Sequence, residues 1–339
     1  MTRIEFEATG DAHGRESRDC GKVFVVRGPV SQLARIIAAP SCRSACADFS
    51  PLRFRHSLMP RIQLATDDHS RDSAGMRYVY PVISRRAGGV SVGINLNPNN
   101  ACNWRCIYCQ VPDLKRGGPP PIDLALLELE LNDFLREAVS GDFMATRIPL
   151  GARRLVDVAF SGNGEPTSAT EFAAAVAIVE GVLESHGLAG KLIIRVITNG
   201  SLLDRRAVQA GIGRIGRAGG EVWFKVDAGT STGFARINGT RVRPDRVVRR
   251  LALCAALAPT WVQTCLFRRD GQLPADQELS AWLELLAPLA LQLAGVHLYS
   301  LARPSLQVEA PRLARIDAVW MEAFAERVRK TGLTVRVSP

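Results

Sequence analysis

"VSVGINLNPNNACNWRCIYCQ", residues 90–110, runs an alternating apolar and polar stretch into three cysteines within eight positions: Cys102, Cys106 and Cys109. Val90, Val92, Ile94 and Leu96 share one face and Ser91, Gly93, Asn95 and Asn97 the other, which is the period of a strand. Thiolates are soft ligands that select zinc, copper(I) or iron–sulfur clusters. Structural zinc takes four ligands, usually as two close pairs. Here no cysteine lies between Cys109 and Cys254, and the nearest downstream histidine is His186, so zinc would need a distant fourth ligand. A cubane cluster held by three thiolates needs none, because its fourth iron can accept a substrate or cofactor. Spacing and the missing fourth residue point to the cluster.

Outward from this stretch, short β-rich runs alternate with helical ones. Further strands are predicted at 155–161, 191–199, 221–228, 260–267, 295–302 and 333–338. Asp123 is placed to cap a helix from 124, and Ser168-x-x-Glu171 reads as a capping box before "FAAAVAIVEGVL". Pro244 suits a first helical position before "DRVVRRLALCAAL", and two more helical runs cover 274–290 and 310–332. Strand then helix, six times over, predicts a parallel α/β sheet with helical connections. The strands alternate as well: Leu192, Ile194 and Val196 oppose Arg195, Ile197 and Asn199, while Val222, Phe224 and Val226 oppose Trp223, Lys225 and Asp227. Val296 and Leu298 likewise oppose His297, Tyr299 and Leu301. A flat sheet covered on both faces would be apolar on both. One repeatedly polar face predicts a curved, incomplete barrel whose inner wall lines a cavity.

The 339 residues are 47 % hydrophobic and 22 % charged, a globular composition. Net charge is +10, with 43 Lys plus Arg against 33 Asp plus Glu, and only five of the cations are lysine. Arginine forks match phosphate, so an anionic substrate or RNA suits this charge, as does a simple arginine bias. The longest apolar run, 251–267, is broken by Pro259, Thr260, Gln263 and Thr264, which predicts no membrane span. With Glu5 and Glu7 near the start and no signal-like core, the expected address is the cytoplasm, where thiols stay reduced. Residues 1–75 have no sustained period. They read as a short irregular N-terminal extension, either a flexible arm or the product of too early a start, since Met59 and Met76 follow.

Three cysteines spaced C-x3-C-x2-C directly after the first strand of a repeating strand–helix domain resemble the radical S-adenosylmethionine (SAM) enzymes; Tyr108 before the last cysteine fits as well. The resemblance covers about residues 80–339. It implies an incomplete (β/α)6 TIM-like barrel over residues 76–339, with Cys102, Cys106 and Cys109 holding a [4Fe–4S] cluster. In that family the open iron chelates S-adenosylmethionine, and an electron cleaves it to methionine and a 5′-deoxyadenosyl radical that abstracts hydrogen from substrate. "SGNGEPT" (161–167) resembles the family's Gly-Gly-Glu loop, with Asn163 for the first glycine, so Gly164, Glu165 and the surrounding backbone are expected at the methionine amino group. Asn199, the Lys225–Asp227 pair, Gln263, Tyr299 and Leu301 are the expected contacts to ribose, carboxylate and adenine. The mechanism implies a low-potential electron donor of the flavodoxin or ferredoxin type.

Within the superfamily, "VDAGTSTGFARINGT" (226–240), "VQTCLFRRDG" (262–271) and "VHLYSLARPSLQVEAP" (296–311) look most like the iron–sulfur oxidoreductases that include the tRNA wyosine-synthesis enzymes. That branch carries a second cluster, for which the upstream Cys20, Cys42 and Cys46 are unevenly spaced, so the substrate stays open. The alternatives are tRNA modification of the wyosine kind and a non-catalytic iron–sulfur or zinc module. Of the other residues, Cys254 reads as a core residue, Cys265 as an inward thiol beside Gln263, and His297 as a hydrogen-bonded cavity histidine.

Overall fold

The inward/outward alternation of the strands sets the architecture. A computed structural model describes residue 64, residues 74–84 and residues 88–339. Eight strands form one sheet in sequence order: β1 (Val79–Ser84), β2 (Gly89–Asn95), β3 (Leu155–Ser161), β4 (Ile193–Thr198), β5 (Glu221–Lys225), β6 (Thr260–Cys265), β7 (Gly295–Tyr299) and β8 (Val335–Ser338). β1 pairs antiparallel with β2, and every later pairing is parallel. Between consecutive parallel strands run α1 (Leu124–Ser140), α2 (Phe172–Ser185), α3 (Arg206–Arg217), α4 (Pro244–Leu257), α5 (Asp276–Leu286) and α6 (Ala318–Arg329). The outward residues Val92, Ile94, Val158, Phe160, Val196, Val222, Val262 and Val296 are fully buried under these helices.

Polar and aromatic residues occupy the opposite face, and the sheet curls around them. Adjacent strands lie about 4.8 Å apart, so β5 and β7, with β6 between them, would be roughly 10 Å apart in a flat sheet. Across that gap the Trp223 and His297 rings stand 4.6 Å apart, and Lys225 Nζ lies 2.8 Å from the Tyr299 hydroxyl. Near the N-terminal ends of the strands, Arg195 pairs with Asp157 and Glu221 and lies over the Trp223 ring at 4.2 Å, while Ser91 donates to Asp157. The result is a mixed α/β half-barrel of the TIM type.

Among the elements that escaped the sequence pattern, three have a plain physical reason, while Leu313–Arg315, inside the run expected as helix 310–332, pairs as a short strand with Phe267–Arg269 and the helix begins only at Ala318. β1 contains Pro81, which weakens a strand signal; the structure places it at a sheet edge, where a missing N–H is tolerated. Its start is tied to α1 by the buried Glu130 carboxylate, which accepts from the amides of Arg77, Tyr78 and Val79. α3 is obscured by three glycines, yet a Cβ on Gly211 would meet the Phe172 ring at 2.6 Å and one on Gly216 the Leu257 carbonyl oxygen at 2.2 Å. These glycines let α3 approach α2 and α4 closely. The third element, helix Ser231–Asn238, starts at Thr230, whose hydroxyl accepts from Gly233 N–H, and ends at Gly239 with φ +60°.

The expected capping box before α2 does not form. Ser168 Oγ instead donates to the Glu165 carbonyl at 2.6 Å and closes a 3₁₀ turn, and Glu171 at the cap position makes no side-chain cap bond. Asp123 and Pro244 stand at the helix starts as expected. Leu64 is buried in the main core, and its amide donates to the Arg147 carbonyl. The rest of the N-terminal extension, apart from Ala74 and Gly75, lies outside the described residues, as do Cys20, Cys42 and Cys46. No helix among the described residues is long and apolar enough to cross a membrane.

The Gly216 contact gives a test of sign. Helix propensity alone makes Gly→Ala stabilising by about 1 kcal/mol. Against the Leu257 carbonyl, Gly216→Ala should instead lower stability by about 1–3 kcal/mol, read from the midpoint of chemical denaturation.

Candidate active site

The cysteine loop leaves the C-terminal end of β2, the end of a parallel barrel where loops from many strands converge. Its backbone is held on two sides. Arg105 and Ile107 donate their amides to the carbonyls of Asn238 and Ile237 at 3.0 and 2.9 Å. From the other side, Ser305 Oγ donates to the carbonyls of Ile107 and Cys109 at 2.8 and 3.1 Å, and the Leu306 amide also reaches Cys109. Cys102 lies in a two-residue ladder, Ala101–Cys102 beside Lys115–Arg116. All three cysteines are free thiols of intermediate exposure. The Trp104 amide points at Cys102 Sγ from 3.5 Å, and Asn238 Nδ2 at Cys106 Sγ from 3.2 Å.

Burial pushes the Cys102 thiol up to about 12, with nearby Glu165 and Cys109 adding to the shift. Burial also pushes Cys106 to about 12, and Asp227 adds there. Both thiols therefore keep their protons at neutral pH, and binding a metal would release them. Among the described residues no three His, Cys, Asp or Glu side chains converge to hold a single metal ion. A cubane cluster takes each cysteine on a separate iron, so its ligands need no common point. Three thiols on one clamped loop fit that donor set.

Cys102, Cys106 and Cys109 line a cavity of about 320 Å³ together with Gly164, Glu165, Asn199, Lys225, Gln263, Tyr299 and Leu301. This is the size range of small-molecule sites. Gly164 is a close approach: a Cβ there would stand 2.2 Å from the Ala101 carbonyl oxygen. The Glu165 carboxylate is buried and takes four donors: the Thr167 amide and hydroxyl, the Thr198 hydroxyl and the Asn199 amide. Burial nevertheless holds its pKa above the ordinary value, with all four donors opposing. Asn199 donates from Nδ2 to Asn103 Oδ1 at 2.8 Å, which ties the end of β4 to the cysteine loop. Asn163 turns aside: its Nδ2 donates to Asn100 Oδ1 at 2.6 Å and its amide to Asn95 Oδ1, and its side chain does not line the cavity.

Lys225 and Asp227 take different places. Lys225 Nζ donates to the Tyr299 hydroxyl and lies 5.0 Å from the Tyr108 ring centre. Burial alone would depress its pKa, but Asp227 and Tyr299 outweigh burial and hold it above the ordinary lysine value. Asp227, just beyond the end of β5, faces the underside of the cysteine loop and accepts from the Tyr108 hydroxyl, Asn238 Nδ2 (2.7 Å) and the Cys265 amide (3.0 Å). Gln263 Nε2 is buried with no hydrogen-bond partner and belongs to the cavity wall. Cys265 lines the same cavity and packs with Ile107, Tyr108 and Phe267. His297 packs between the rings of Trp223 and Trp261, tilted at 46° and 42°, and does not line the cavity. Asn238 and Ser305 were missed from the sequence; "VDAGTSTGFARINGT" was read only for its resemblance, and nothing local marks Ser305 as a loop anchor.

No protein-family model matches the chain. A radical SAM methyltransferase from Sphaerobacter thermophilus overlays with a TM-score of 0.50 at 16 % identity, covering 76 % of this chain and 68 % of that one. SuiB of Streptococcus suis overlays at 0.48 and 12 % identity over 75 % of this chain, which spans about half of SuiB's length. In sequence, the chain is 25 % identical over 130 residues to the GTPase Obg of Brachyspira hyodysenteriae, 38 % of this chain but only 16 % of that protein. The phosphate-binding signature G-x-x-x-x-G-K-[ST] is absent, since Gly21-Lys22 and Gly190-Lys191 are followed by Val23 and Leu192.

Glu165→Ala would orphan buried donors on Thr167, Thr198 and Asn199 and should cost about 3 kcal/mol in denaturation. Glu165 has its folded pKa above its unfolded one. Its contribution is therefore full below the unfolded pKa and declines as pH rises through the folded value. Glu165→Gln should flatten that decline in the same measurement. The parallel half-barrel of this chain shares its fold with the radical SAM methyltransferase from Sphaerobacter thermophilus.

Proposed function

We propose that the protein is a radical SAM enzyme that binds a [4Fe–4S] cluster through Cys102, Cys106 and Cys109 and S-adenosylmethionine in the adjoining cavity. One observation carries the reading: the three half-buried thiols and the polar side chains of β4 to β7 line one cavity at the C-terminal mouth of the half-barrel. When bound, the cluster would supply the electron that cleaves S-adenosylmethionine to methionine and a 5′-deoxyadenosyl radical, which abstracts hydrogen from a substrate. The six strand–helix units from β2 to α6 support the (β/α)6 description.

The chain's own residues prepare the site. Lys225 stays cationic inside the wall and offers a charge to a carboxylate or hydrogen bonds to a ribose. Gln263 presents a buried amide donor with nothing to satisfy it, which a polar ligand would repair. Gly164 lets backbone approach both the cysteine loop and a ligand. Leu301, Tyr299 and Tyr108 exclude water around them. The electron would come from a low-potential protein of the flavodoxin or ferredoxin type. The substrate class is open, and tRNA or another anion suits the arginine excess.

Anaerobically reconstituted protein with dithionite and S-adenosylmethionine should release 5′-deoxyadenosine. Replacement of Cys102, Cys106 and Cys109 by alanine should abolish both iron binding and that product. Iron bound without cleavage, with tRNA and small-molecule pools present, would instead favour a non-catalytic module. Lys225→Met should weaken S-adenosylmethionine binding about tenfold in calorimetry, the equivalent of about 1.4 kcal/mol.

A further inference from the structure

We propose that Asn238 is a positioning residue that donates an N–H···S hydrogen bond to Cys106 and thereby sets the reduction potential of the cluster bound there. The inference rests on the cluster reading above. Asn238 is the last residue of helix Ser231–Asn238 and is completely buried. Its Nδ2 has two hydrogens and two acceptors: Cys106 Sγ at 3.2 Å and Asp227 Oδ2 at 2.7 Å. The amide orientation is fixed by charge. Turned over, Oδ1 would face a carboxylate and a thiol sulfur, whereas in the orientation the side chain adopts it is Oδ1 that goes without a partner. A buried amide that leaves its oxygen unsatisfied in order to aim both N–H groups at these two acceptors is placed for their sake.

The backbone around it makes the contact rigid. The Asn238 and Ile237 carbonyls accept the amides of Arg105 and Ile107, the residues on either side of Cys106. Gly239 follows in a left-handed conformation, and a Cβ there would stand 2.9 Å from the Arg105 carbonyl oxygen. The helix end and the cysteine are therefore locked in register, and the Asn238 side chain returns to the sulfur it flanks.

The electrostatic consequence has a definite sign. Reducing a cluster adds negative charge to its sulfurs, and hydrogen bonds to those sulfurs stabilise the reduced form and raise the potential. Asn238 Nδ2 bridges Cys106 Sγ and the buried Asp227 carboxylate at the carbonyl end of a helix; carboxylate and helix end both oppose added negative charge on the sulfur, and the Lys225 ammonium in the same cavity wall counters them in part. Asn238 offsets them.

The test uses the full chain with its cluster rebuilt, comparing wild type, Asn238→Ala and the isosteric Asn238→Asp by redox titration followed by electron paramagnetic resonance. Iron and sulfide are quantified for each. The expected result is a tenfold smaller equilibrium constant for one-electron reduction in Asn238→Ala, which is 59 mV. A larger fall is expected in Asn238→Asp, with a shifted iron–Cys106 stretch in the resonance Raman spectrum of both. Clusters of unchanged potential in the variants, even at lower occupancy, would reduce Asn238 to a packing residue and overturn the inference. A wild-type chain that acquires no iron–sulfur cluster would overturn the functional reading instead.

Discussion

The buried Asp227 carboxylate ties three elements of the site to one another. It accepts from Tyr108 in the cysteine loop, from Asn238 at the end of the helix after β5, and from the Cys265 amide at the end of β6. A carboxylate that gives up water needs such donors, and here each comes from a different element. Satisfying this one charge therefore fixes the loop against the barrel rim. It also places the Lys225 ammonium, whose cationic form Asp227 favours, against Tyr299 across the mouth.

A second buried carboxylate does a similar task on the opposite side. Glu165 joins the turn after β3 to the end of β4, and through Asn199 the link continues to Asn103 in the cysteine loop. The two acids follow β3 and β5, the strands on either side of β4. The mouth is held by buried polar networks, while the outer shell is held by aliphatic packing. Such networks carry a large cost when any member is removed, because the remaining donors cannot recover their water. This makes the rim rigid without a covalent link between its loops.

Gln263 differs from these groups. Its amide nitrogen is buried in the cavity wall with no partner, whereas the polar atoms of Asp227 and Glu165 are fully engaged. A buried carboxylate with its donors supplied holds a loop in place, and a buried amide without a partner keeps its hydrogen-bonding capacity unused. Glu165 and Asp227 are of the first kind, and Glu165 also lines the cavity. Lys225 stands between the two, bonded to Tyr299 yet facing the cavity.

The sequence by itself determined the parallel strand–helix order, the polar inner face and the cysteine loop after the first parallel strand. Those follow from periods of two along the strands and from ligand spacing, which are local properties. Pro81 hid the edge strand and Gly211 and Gly216 hid α3, because their local cost is repaid only by position at an edge or against a neighbouring helix. Only the tertiary structure decided that Asn238, 132 residues from Cys106, meets its sulfur, and that Ser305, 196 residues from Cys109, holds its carbonyl. Contacts of that separation depend on how β5, β6 and β7 curl around the loop, and no local pattern encodes that curvature.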